Sequence, residues 1–242
     1  MYLYIREIIF ITEKLIGILA GMIPRSTAPF IDLVIDECQS QYGAKYDDEF
    51  PKMMIYSLPT PFYLDRPINH ELMKETIIDG LQKLEATGVN FIAMPCNSAH
   101  IYFKELKESI NIPLLNIVEE TVKKLPTISQ KVTLFSTSST FESTIYQNGI
   151  IYNGHEFIFK DEWQTQLNTL IQNIKIDKEN PHNIDIWNKL IEDVKSKSIE
   201  NIVIACTDLN VVLEKSYSSI NIVDSSKCLA ESVINKYLKL VK

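Results

Sequence analysis

Short apolar runs alternate along the chain with longer stretches in which apolar residues recur every three or four positions. The runs at residues 15–21, 52–56, 91–94, 112–117, 131–135, 155–159, 201–205 and 220–223 have the length and bounding turn residues of strands. The stretches between them have the period of amphipathic helices. Phe30, Leu33, Val34 and Cys38 share one face over 26–41, and Leu72, Ile77, Ile78, Leu81 and Leu84 share one over 69–86, with Gly88 as the stop. Further helices are predicted over 99–109, 119–125, 140–147, 161–173, 185–196 and 228–240. Pro59, Pro61 and Pro67 forbid regular structure after the second strand. Strand alternating with helix predicts an α/β fold with mainly parallel sheets covered on both faces.

Within this pattern one arrangement occurs twice. Residues 91–94 end at Pro95, which cannot donate to a sheet ladder, and Cys96 follows with Asn97 and Ser98 as candidate caps of the next helix. Residues 201–205 run directly into Cys206, Thr207 and Asp208 before another helical stretch. Two strand–cysteine–helix turns predict two pseudo-symmetric α/β domains: residues 15–117, with a last helix of about 225–242 packing back on them, and residues 118–224. Residues 1–14 are read as an N-terminal extension. In parallel α/β folds ligands bind beyond the carboxyl ends of strands, where both thiols lie. Backbone N–H groups at a helix start favour thiolate, so each cysteine is a candidate base. Taken singly, a strand-end cysteine is more often a small buried residue than a reactive one. The matched pair reverses that reading for Cys96 and Cys206. Cys38 and Cys228 fall on helices and read as core, and His100, one turn into its helix, reads as a structural hydrogen-bonding histidine.

Composition narrows the function. A chain of 242 residues is long enough for one large or two small α/β domains. The net charge of −7 and the lack of a Lys/Arg-rich run argue against a nucleic-acid surface. No stretch has the ~18 uncharged apolar residues of a membrane span. The four cysteines are far apart, in neither a disulfide framework nor a zinc spacing, which predicts a reducing, cytoplasmic setting. His70, His155 and His182 have no ligand spacing with acidic residues, so no metal site is expected.

Four stretches, Gly17-Ile-Leu-Ala-Gly-Met-Ile-Pro-Arg-Ser-Thr27, Met94-Pro-Cys-Asn-Ser-Ala-His100, Ile117-Val-Glu-Glu-Thr121 and Ala205-Cys-Thr-Asp-Leu209, resemble in order and spacing those of the aspartate/glutamate racemase family, most closely its aspartate branch. The resemblance covers roughly residues 15–242. It implies a homodimeric isomerase that works without pyridoxal phosphate or metal and holds an amino acid between two thiols where two α/β domains meet. It assigns Cys96 and Cys206 as the two bases, and Asn97, Ser98, Thr137, Ser138 and Thr207 as substrate contacts. The chemistry of the residues agrees. Racemisation needs a base on one face of Cα and an acid on the other, with hydrogen-bond donors for the carboxylate as it gains enolate character.

Three positions depart from the family pattern. The first loop reads Ala20-Gly-Met-Ile-Pro24 where the family has Gly-Gly-Met-Gly-Pro, and it adds Arg25. The branch's arginine for a distal carboxylate is matched by either Leu64 or Arg66, and Arg66 is the candidate clamp. Gln164 stands where a lysine is common. Amino-acid racemisation, with aspartate or glutamate as substrate, is the expectation. A two-thiol isomerase or a decarboxylase of a non-amino-acid carboxylate, and a binding protein without turnover, are the alternatives.

Overall fold

The structure, a computed structural model, describes residues 14–22, 24–62, 67–213 and 220–241. The expected extension over 1–14, Lys14 apart, lies outside the described residues, as do Ile23 and Arg66. The chain folds as two compact units. One takes the chain up to Ile117 together with Leu229 onward, and the other is Val118–Cys228.

In the first unit the elements are β1 (Leu15–Ala20), α1 (Thr27–Tyr42), β2 (Lys52–Ser57), α2 (His70–Glu85), β3 (Phe91–Ala93) and α3 (Phe103–Glu108). The strands form a parallel sheet in the order β2-β1-β3, with Ile18 level with both Ile55 and Ala93. β1 is central and apolar on both faces, and Ile16, Ile18 and Leu19 are fully buried. Leu19, Ile77, Leu81, Ile92 and Leu106 belong to one core cluster of this unit. Asn69 caps α2 by accepting the Leu72 N–H at 3.1 Å, as its side chain suits it to do. Gly21, just past β1, has φ +86°, and a Cβ there would stand 2.5 Å from the Leu58 nitrogen. That nitrogen donates to the Ala20 carbonyl, so this glycine cannot be replaced without moving the backbone after β2.

Two expectations in this half need correction. Residues 112–117 form no strand. They add one bridge, Leu114 to Ile92, because Pro113 has no N–H to continue a ladder and Ile117 already begins the next helix, α4 (Ile117–Val122). The helix expected over 99–109 is broken into a 3-10 turn, Ser98–Tyr102, followed by α3.

The second unit holds β4 (Lys131–Ser136), α5 (Ser138–Glu142), α6 (Ile145–Tyr152), β5 (Glu156–Phe157), α7 (Asp161–Ile176), α8 (His182–Ser196), β6 (Asn201–Ala205), α9 (Asn210–Leu213) and β7 (Asn221–Asp224). Its parallel sheet has the order β5-β4-β6-β7. The single helix expected before residue 147 divides into α5 and α6 at Thr144, whose φ is +59°. The expected strand over 155–159 shortens to β5. The core is aromatic: Phe135, Trp163 and Trp187 are buried, and Phe135 meets Trp187 edge-to-face at 5.7 Å. Asp193 ties α7 to α8, taking both oxygens to Lys160 Nζ (2.9 and 2.7 Å) and accepting from the Trp163 indole N–H.

The last helix, α10 (Ser225–Val241), begins in the second unit and ends in the first. From Leu229 on it buries Leu229, Val233, Ile234 and Tyr237, and Gln41 of α1 donates to the Glu231 carbonyl at 3.1 Å.

Candidate functional site

Cys96 follows β3 after Met94 and Pro95. Its N–H donates to the Met94 carbonyl at 2.8 Å, so the chain folds back at the thiol. It is half-buried, Asn97 is buried, and Ser98 is half-buried. Asn97 makes no side-chain cap, contrary to expectation, because its own backbone is already helical (φ −61°, ψ −46°).

His100 fixes this turn. It is 2 % exposed. The Ile117 N–H donates to its Nε2 at 3.2 Å, which leaves the ring proton on Nδ1, donated to the Cys96 carbonyl at 2.8 Å. Burial pushes the His100 pKa down, so the ring is neutral. A second proton would turn Nε2 into a donor facing the Ile117 N–H, with the Leu115 carbonyl, 3.4 Å away, as its acceptor. The unfolded chain takes that proton at about pH 6.5 while the folded chain resists it. His100 therefore contributes stability above that pH and loses it as the pH falls toward its lowered folded value. Wild type is expected to lose melting temperature on acidification below about pH 6.5. His100→Gln should be less stable at neutral pH but flatter over that window, which thermal melts of both proteins across the range will show.

Tyr102 stands on the same turn, with its hydroxyl 2.7 Å from His70 Nδ1 at the start of α2. Burial raises its pKa, helped by Glu71 and by Cys96, which places the phenol in the electrostatic reach of the thiol.

In the second unit β4 ends in a hydroxyl-rich turn, residues 136–140. Thr137 is the N-cap of α5 and accepts from the Thr140 N–H at 3.3 Å. Ser138 Oγ donates to Asn168 Oδ1 at 3.0 Å. Gln164 Nε2 donates to the Ser136 carbonyl and to Asn168 Oδ1, and its Oε1 is buried without a hydrogen-bond partner. This corner is polar and uncharged.

Cys206 follows β6, the strand paired with β4. It is 5 % exposed and opens a 3-10 turn, Thr207–Leu209. Helix-start N–H groups were expected to favour thiolate here, and the outcome is the reverse. Burial, with the neighbouring Asp208 carboxylate second, pushes the Cys206 pKa up to about 12. The N–H groups of Asp208 and Leu209 pull the other way but a single 3-10 turn is too weak to win. The thiol lies 4.0 Å from Asp208 Oδ2, and that oxygen is 3.9 Å from Lys175 Nζ in the last turn of α7.

The sequence reading passed over Asp208 as a site residue and missed Lys175. The acid two residues after a strand-end thiol was a usable signal. Lys175, on a helix expected to end two residues earlier, carried none. Arg25 is exposed on the 3-10 turn Pro24–Ser26. Among the described residues no group of three or more His, Cys, Asp or Glu is placed to hold a metal ion, and no helix is long and apolar enough to cross a membrane.

These features define the class: two parallel α/β units, each ending a buried strand on a cysteine and a tight 3-10 turn. A family model described as Asp/Glu/Hydantoin racemase matches residues 19–233. The broad specificity amino-acid racemase RacX of Bacillus subtilis (strain 168) is 52% identical over 224 residues, covering 93% of this chain and 98% of its own. The solved structure of Picrophilus torridus aspartate racemase superposes with a TM-score of 0.77 at 27% identity, covering 92% of this chain and 94% of that one. An aspartate racemase homologue from Pyrococcus horikoshii OT3 shares the fold, with a TM-score of 0.75 at 24% identity over 93% and 99% of the two chains. The chain belongs to the Asp/Glu/hydantoin racemase family and is an isomerase of the amino-acid racemase kind.

Proposed function

We propose that this protein racemises free amino acids by a two-base mechanism without a bound cofactor, Cys96 and Cys206 each serving one face of Cα. The observation that carries the reading is the repeated strand-end thiol in a chain of this family. One sulfur, as thiolate, takes the α-proton and becomes a thiol, leaving a carbanion delocalised into the carboxylate. The opposite thiol gives its proton to the other face of Cα and becomes the thiolate. The catalytic pair then stands in the mirror protonation state, ready for the product enantiomer. Asn97, Ser98, Thr137, Ser138 and Thr207 hold the substrate's carboxylate and ammonium groups. Two thiols are one more than a decarboxylation needs, which favours racemisation over that alternative.

The substrate range in this proposal is broad, with aspartate and glutamate inside it. The uncharged corner of Gln164, Ser138 and Asn168 supports breadth, because it offers no fixed cation to demand an anionic side chain. The broad specificity named for the 52%-identical relative supports the same reading. Arg66 is assigned to the distal carboxylate when the substrate has one. A cytoplasmic setting suits a reaction that needs both sulfurs reduced.

The test is racemisation of a panel of L- and D-amino acids by protein treated with hydroxylamine and a chelator, read by chiral chromatography. Interconversion of several amino acids supports the proposal. Activity only after adding pyridoxal phosphate or a metal would overturn it.

A homodimer is part of the proposal. The edge strand β2 leaves Met54 40% and Ile55 42% exposed, an apolar strip that a second copy would cover. Light scattering across micromolar concentrations should give twice the chain mass, and a monomer throughout would refute this.

A further inference from the structure

We propose that Asp208 and Lys175 form a positioning pair that holds Cys206 as the proton-bearing thiol in the resting protein, so that Cys206 enters the cycle as the acid. The inference rests on the two-thiol reading and adds an asymmetry to it.

The two cysteine turns have the same spacing but different charge. Two residues beyond Cys96 stands Ser98, a neutral hydroxyl. Two residues beyond Cys206 stands Asp208, 8% exposed, with Oδ2 4.0 Å from Sγ. A buried carboxylate at that distance accepts the S–H and opposes a second negative charge on sulfur. Burial alone drives a carboxylate to take a proton, after which it would lose that opposing charge, and Asp208 does have a raised pKa for that reason. Lys175 counters this. Its ammonium is 3.9 Å from the same oxygen, its side chain is 16% exposed, and among the described residues it is the cation that acts on Asp208. Among the described residues the charged groups acting on Cys206 are Asp208 on its own turn and Lys175 from α7. A buried ion pair is seldom the most stable filling for such a site, since apolar replacements of similar volume are often neutral or stabilising. Its place beside the Cys206 thiol gives it a task in setting protonation.

Because L and D forms are equal in free energy, kcat/KM is the same in both directions at every pH, and the pair cannot bias the net reaction. It sets the pH at which the enzyme loses its one required thiol, the alkaline limb of the kcat/KM profile. Asp208→Asn removes the opposing anion and should move that limb to lower pH by roughly one unit or more. Lys175→Met should move it to higher pH, because a carboxylate stays ionised at alkaline pH even without its lysine. Lys175→Arg should leave it in place. The double variant Asp208→Asn/Lys175→Met removes one charge of each sign, so the two opposite shifts should offset each other and return the limb toward wild type, which merely structural damage would not produce. Thermal melts establish which variants are folded, and the lysine variants test the pair even if Asp208→Asn does not fold. A limb that stays at the wild-type pH in both single variants, or that moves in the same direction in both, overturns the inference. Cys206→Ala separates the layers: a racemising Cys206→Ala refutes the two-thiol reading itself, whereas an inactive one with an unmoved limb in the pair variants refutes only the role of Asp208 and Lys175.

Discussion

Replacing either Cys96 or Cys206 by alanine is expected to cut racemisation by roughly 10²–10⁴-fold, the range for losing a positioned acid or base. In the proposed mechanism each sulfur works once as base and once as acid in a full L-to-D-to-L cycle, so neither variant would retain a path across Cα. One half-reaction survives in each. With Cys96 alone or Cys206 alone, the α-proton of one enantiomer can still leave and return on the same face, which gives slow solvent exchange without inversion. The two variants should therefore exchange opposite enantiomers. Folding should be little affected. Cys206 belongs to the core cluster of the second unit, and losing its sulfur costs about 1 kcal/mol, while Cys96 is half-buried. Chiral chromatography and α-proton exchange followed by NMR, on variants shown to be folded by thermal melts, check both parts.

The second large effect concerns Arg66. It stands in the proline-interrupted stretch of sequence after β2, just before Pro67, and the proposal assigns it to a distal carboxylate. A guanidinium meets a carboxylate through two parallel N–H bonds that a lysine cannot reproduce. Removing one partner of such a pair once it is desolvated costs roughly 2–5 kcal/mol, or about 30-fold to several-thousand-fold in kcat/KM. Arg66→Leu should show that loss on aspartate and glutamate and leave neutral amino acids almost unchanged. Arg25→Leu should be near silent, since Arg25 is exposed on its turn. A loss carried by Arg25→Leu instead would move the clamp there. Full dicarboxylate activity in both variants would remove both arginines from substrate recognition.

Much of the fold was legible because its signals are local. A buried parallel strand such as 131–135 is an unbroken apolar run, and helices such as 69–86 show their face in the spacing of Ile77, Leu81 and Leu84. The misreadings came where tertiary hydrogen bonding decided the outcome. Residues 112–117 look like a strand, but Pro113 limits them to one bridge. The helix after Cys96 looked continuous, yet its first turn is 3-10, where the His100 N–H reaches the Asn97 carbonyl. At the site, the thiols could be found because each follows an apolar run and precedes cap-type residues. The state of Cys206 could not be read that way. A sequence shows the helix start that would lower its pKa, but it does not show the burial that overrides it, nor a lysine from α7, 33 positions upstream, arriving to meet Asp208.

The most direct test of two-base racemisation is the early time course in D2O starting from a single enantiomer, with deuterium at Cα followed separately in remaining substrate and in product. When two thiols serve opposite faces, product formed in the first few per cent of reaction carries solvent deuterium, while the remaining substrate stays almost fully protonated. The same must hold starting from the other enantiomer. Deuterium entering substrate and product equally from the outset, or product that retains the original proton, would mean that a single base works on both faces and would contradict the assignment of Cys96 and Cys206 as a pair.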